Sequence, residues 1–174
     1  MNRRTAIRNV IIISAGAAVL PSCKNTGESS FYLKYIRVTA SQEKMLAELA
    51  ETIIPKTSNI TGAKELKSHE FVLTMMDDCA GPEEQQFFMS GMKEFEDACL
   101  EKFNAPFEKC TPGQKKVLLI ELETAKKGND LIVSFYKTVK RYTIQSFTTS
   151  KNYLFDIKKW KMVPGNDFKG CIHV

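Results

Sequence analysis

The chain has 174 residues, 43% of them hydrophobic, with 25 basic and 20 acidic side chains and a formal charge of +5 at pH 7. That length makes one domain with a single substantial core, and excludes both a mini-protein and a multidomain assembly. The positive balance does not mark a nucleic-acid binder: three arginines and no acid fall within residues 1–22, so the remaining 152 residues carry only +2, and no nucleic acid is expected as a partner.

Residues 1–22 read MNRRTAIRNVIIISAGAAVLPS. Arg3, Arg4 and Arg8 precede an apolar run from Val10 to Leu20 that is broken only by Ser14. Positive head, apolar middle and small-residue end are the layout of an export signal. The run is shorter than the roughly 20 residues a membrane-spanning helix needs. The pair Arg3-Arg4 matches the twin-arginine address, used for cargo that folds before it crosses the membrane. Cys23, after Leu20-Pro21-Ser22, resembles a lipobox cysteine, which is acylated and becomes the new N-terminus. The bland alternatives are ordinary secretion for the arginine pair and a structural cysteine at Cys23. The expectation is an exported protein on the periplasmic side of the membrane, held there by a lipid anchor. Residues 23–38 follow as tether and linker: Lys24–Ser30 is polar and flexible in composition, and Phe31–Val38 alternates loosely.

Helical periodicity begins at Thr39, which caps a first helix with Gln42 as its reciprocal partner. Met45, Leu46, Leu49, Ala50, Ile53 and Ile54 form its inner face, and Pro55 stops it. A second helix runs from Ala63 or His69 to Cys79, with Phe71, Val72, Met75, Met76 and Cys79 as its stripe. His69 reads as a helix-start histidine with a satisfied hydrogen bond. Asp77 and Asp78 point to different faces and make no dyad. Gly81-Pro82 opens a third helix, whose stripe is Phe88, Met92, Phe95 and Cys99, broadened by Phe87, Met89 and Phe103. Thr111-Pro112-Gly113-Gln114 is a strong start for a fourth. Its run Val117–Leu122 is apolar enough to be buried on most sides, and Gly128 ends it. Asn129 or Asp130 caps a fifth, with Ile132, Phe135, Tyr136, Val139, Tyr142, Thr143 and Phe147 inside and Lys137, Lys140 and Arg141 on a solvated face. After Thr148-Thr149-Ser150 the periodicity stops. The expected fold is therefore all-α: a small single-domain bundle of about five helices over residues 39–174, with an extended, irregular C-terminal tail from about residue 148 that wraps the bundle or a partner.

Four cysteines remain besides Cys23: Cys79, Cys99, Cys110 and Cys171. Export would let disulfides persist, and four cysteines allow three pairings. Cys171 sits in the aperiodic tail, where it would close onto Cys79 or Cys110 or bond a cysteine of a partner. The tail aromatics Tyr153, Phe155 and Trp160 are candidate partner contacts, since such residues are enriched at interface cores. No dinucleotide fingerprint, P-loop, nucleophile elbow or HExxH occurs, and His69 and His173 are the only histidines. No catalytic, cofactor-binding or metal-ligating residue is assigned.

These pieces resemble the gluconate 2-dehydrogenase subunit 3 family. The resemblance rests on Leu46–Pro55 (LAELAETIIP), Gly62-Ala63, Phe71–Cys79 (FVLTMMDDC), Phe107 with the Thr111–Gln114 helix start, Phe147–Ser150, and Val163-Pro164-Gly165 followed by Phe168–Cys171. It implies a non-catalytic small subunit with no cofactor of its own. Its large partner would be a FAD-containing dehydrogenase subunit of the glucose–methanol–choline type, with a multihaem cytochrome taking the electrons. The small subunit's signal would carry the flavoprotein through twin-arginine export, and its body would support the partner's folding. The competing readings are a free-standing, lipid-anchored helical binding protein of the cell envelope, and an enzyme working through Cys171 or His173.

Overall fold

Among the described residues, five α-helices carry the fold. The structure is a computed structural model and describes residues 27, 29–125 and 130–160. Arg3, Arg4, Cys23, Gly128, Cys171 and His173 lie outside the described residues. No strand occurs among the described residues, in keeping with the all-α expectation.

Helix α1 spans Ala40–Ile53. The Gln42 N–H donates to the Thr39 hydroxyl at 3.2 Å and the Thr39 N–H to the Gln42 side chain at 3.1 Å, which closes the expected capping box. Helix α2 spans Ser68–Asp78 and has no side-chain cap; Lys67 turns the chain in the left-handed region at φ 55°. Helix α3, Pro82–Phe103, is the longest at 22 residues and ends at Asn104, also left-handed. A short 3-10 turn, Phe107–Lys109, leads to α4, Pro112–Thr124, whose Thr111–Gln114 capping box forms as expected. Helix α5 spans Leu131–Thr149, with Asp130 at its N-cap position.

Helix α5 is the centre of the bundle and packs chiefly against α3 and α2. Gly91 permits the α3 contact: a Cβ there would come within 2.4 Å of the Leu131 carbonyl oxygen and 2.7 Å of Phe135 Cβ. Phe135 stacks on Phe88 and Phe95 at centroid distances of 5.1 and 5.6 Å, and Phe107 joins Phe95 at 5.1 Å. Tilted aromatic pairs of this kind add to plain area burial.

Four expectations are corrected. Phe87 is 57% exposed, because it lies one residue, about 100°, off the buried stripe of α3. Helix α4 is buried on one side only: Val117 and Ile120 face solvent at 47% and 62% exposure, since α4 lies at the edge of the bundle. Cys79 is exposed, and Asp77 takes the inward position near the end of α2. The linker expected to run to residue 38 ends earlier, because Leu33, Ile36 and Val38 are buried in the main core cluster.

Candidate functional site

The middle of the N-terminal strap, residues 29–38, gives three backbone N–H groups to one carboxylate. Asp77 accepts the backbone N–H groups of Lys34, Tyr35 and Ile36 at 2.6, 2.7 and 2.8 Å. Burial works to raise its pKa, but the three backbone donors and the Lys34 ammonium hold it below the usual carboxylate value. The strap also ties to α1, where Ser30 donates through its N–H and hydroxyl to Glu43 at 2.6 and 2.5 Å.

A partly buried ion pair joins α1 to α4. Glu48 accepts Lys115 Nζ at 2.9 Å and is also paired with Lys64. Burial pushes Glu48 up, yet the two lysines hold its carboxyl below its ordinary value. Lys115 is nearly buried and lies over the Phe107 ring at 5.3 Å, so its stem fills a gap in the core while its charge is neutralised.

His69 opens α2 and is 8% exposed. Burial lowers its pKa against the pull of Glu70 and Glu43, which keeps the ring neutral. The satisfied hydrogen bond expected for it is absent among the described residues: Nδ1 has no partner, and Nε2 stands 3.9 Å from Glu43 Oε1. Sequence reading missed this grouping, because Glu43 lies 26 residues away on another helix.

Past α5 the chain does not become fully extended. Asn152–Ile157 forms a π-helical turn at the start of the C-terminal tail. Tyr153 stacks on Phe147 at 5.3 Å, and Asn152 Nδ2 donates to the Thr61 hydroxyl at 3.0 Å, pinning the turn to the loop after α1. The Trp160 N–H donates to the Leu154 carbonyl at 2.8 Å and folds the chain back. Phe155 and Trp160 meet edge to face at 6.1 Å and remain 42% and 46% exposed, and Ile157 in the same turn is 42% exposed. Of the three aromatics expected to meet a partner, Tyr153 is the anchor, and Phe155 with Trp160 form an exposed apolar edge. Lys151, Lys158 and Lys159 are exposed in the same segment. Aromatic centre and charged rim are the anatomy of a protein-binding surface.

Cys79, Cys99 and Cys110 are free thiols, and Cys171 lies outside the described residues. Burial pushes the Cys99 thiol up to about 12, with Cys110 and nearby acids adding to it, and burial also raises Cys110. Thiols held protonated in this way are poor nucleophiles.

The match to a family model decides the assignment: residues 40–165 fit the one described as gluconate 2-dehydrogenase subunit 3. The chain belongs to the gluconate 2-dehydrogenase subunit 3 family. Comparison with curated proteins and with solved structures returned no match. The matched span covers all five helices and the aromatic edge, and it begins at the first residue of α1.

Proposed function

We propose that this family member is the non-catalytic small subunit of a membrane-associated, FAD-dependent dehydrogenase of the glucose–methanol–choline type. It escorts the flavoprotein subunit through twin-arginine export and supports that subunit's folding. The FAD belongs to the partner, and a multihaem cytochrome subunit receives the electrons. The assembled complex sits on the periplasmic side of the membrane, anchored through an acylated Cys23. The observation that carries this reading is the family match over residues 40–165. The Arg3-Arg4 signal supports it, since that route takes folded cargo. The Phe155–Trp160 edge supports it as well, as a surface suited to a protein partner.

Purification of the tagged full chain from its native host tests the reading. A stoichiometric yellow flavoprotein is expected in the eluate, and Arg3→Lys with Arg4→Lys is expected to leave both proteins in the cytoplasm. Lysine keeps the charge that general secretion needs but not the twin-arginine address. A lone colourless monomer sinks the subunit reading in favour of a free-standing envelope protein. Normal export of the lysine variant sinks the twin-arginine route alone.

A further inference from the structure

Three side chains from two helices converge where the N-terminal strap meets α1. Ligand-type atoms of Glu43, His69 and Glu70 all lie within 4.8 Å of one another. Glu43 is in the first turn of α1, and His69 and Glu70 are the second and third residues of α2. The histidine distinguishes this group from an ordinary acidic surface cluster. It is 8% exposed, and its Nδ1 is sealed from solvent without a partner. Its Nε2 has only the Glu43 carboxylate, at 3.9 Å. Nε2 is the nitrogen that faces the carboxylate, so with the proton on Nδ1 the neutral ring presents its one lone pair to the group.

The 3.9 Å separation is too long for a hydrogen bond. Two ligands of one ion would stand somewhat closer, since bonds of about 2.1 Å put ligand atoms about 3.4 Å apart in a tetrahedral shell, so an ion would draw the pair together. Both carboxylates are already oriented. Glu43 accepts the Ser30 N–H and hydroxyl, as ligating carboxylates do from their outer partners. Glu70 is paired at 3.0 Å with Lys67, whose exposed side chain can swing away. We propose that Glu43, His69 and Glu70 bind one divalent transition-metal ion of the zinc class. One imidazole nitrogen with two carboxylate oxygens suits zinc, cobalt or nickel, and three protein ligands leave a fourth position for water. The ion acts as a clasp. It ties the strap and α1 to the first turn of α2, which has no side-chain cap. The site needs no flavoprotein, so its test is independent of the subunit reading.

The full chain, stripped with a chelator, is titrated with zinc and separately with cobalt. One ion per chain is expected, with a zinc-dependent rise in Tm. The cobalt spectrum is expected to show no thiolate charge-transfer band, which separates this site from the cysteines. His69→Gln and Glu70→Gln are each expected to weaken zinc binding on the order of 100-fold, while Glu65→Gln on the nearby surface leaves it unchanged. Glu70 is partly exposed, so its variant keeps the test decisive if His69→Gln fails to fold. Absence of saturable binding, a thiolate band, or Glu70→Gln binding zinc as tightly as the native chain overturns the proposal.

Discussion

Residues 29–38 and 152–160 flank the five helices, and composition alone puts both among the irregular segments. The bundle receives them differently. The N-terminal strap buries Leu33, Ile36 and Val38 and gives three consecutive N–H groups to one inward carboxylate, Asp77. The C-terminal turn buries no residue fully; it rests on the Phe147–Tyr153 stack and the Asn152–Thr61 hydrogen bond. Hydrogen bonds to a charged group are worth about twice neutral ones, so the strap is built into the domain while the turn is laid on it. The difference follows from where the apolar groups end up. The strap sends Leu33, Ile36 and Val38 into the core while Tyr32 and Tyr35 stay exposed, whereas the turn sends none of its apolar residues there and keeps Phe155, Ile157 and Trp160 at the surface. One end is structural, and the other is available for contact.

Removing the strap's anchor is the largest expected break in this contrast. Asp77→Ala leaves three backbone donors without their acceptor and should destabilise the chain by about 3–4 kcal/mol. Denaturant unfolding measures the loss. Trypsin cleavage after Lys34 or Arg37 in the folded variant would show that the strap has come away. A loss below about 1 kcal/mol would mean that apolar burial, not the carboxylate, holds the strap.

Acid should reach the same anchor reversibly, with a smaller effect. The Asp77 pKa is depressed below its ordinary value of 3.8, so its contribution is present above 3.8 and is lost as pH falls through the lower folded value. Lys34 is the charged group facing it, from the strap, and it favours the ionised form. A carboxyl titration followed by NMR should therefore place the Asp77 midpoint below 3.8, with the Lys34, Tyr35 and Ile36 amide shifts moving in step. A midpoint above 3.8 would mean that desolvation outweighs the three donors.

The parts of this structure that were legible in the sequence are the local ones. The Thr39–Gln42 and Thr111–Gln114 boxes span three residues each, and both form. The stripe Phe88, Met92, Phe95 and Cys99 is one helix face, and all four are buried. What stayed hidden depends on distant partners. Asp77 meets backbone groups 41 to 43 residues away, and backbone donors leave no mark on a side-chain pattern. The apolar run of α4 reads as buried all round, because periodicity carries no information on which helix lies at the edge of the bundle. The Glu43–His69–Glu70 group is hidden for the first of these reasons, since Glu43 comes from another helix.

The finest test asks whether the C-terminal edge is a contact surface at all. Phe155 and Trp160 meet edge to face and are both exposed, so Phe155→Ala with Trp160→Ala should change stability by no more than about 1 kcal/mol. Because the two rings are in contact, their effects will not add, and the double variant is the informative one. If this edge seats the flavoprotein proposed above, the double variant should weaken that association by about 2 kcal/mol or more, near 30-fold, as expected for exposed aromatics that become interface anchors. Phe87→Ala is the matched control: its ring is 57% exposed on α3, away from the edge, so binding should stay unchanged. Tyr153→Ala adds a second arm. It removes the stack on Phe147 that positions the turn, so it should weaken binding without deleting a contact residue. Titration of the purified flavoprotein with each variant supplies the comparison. Native-like affinity in the double variant, alongside native-like folding, would move the interface off this edge and leave the turn as a simple end to α5.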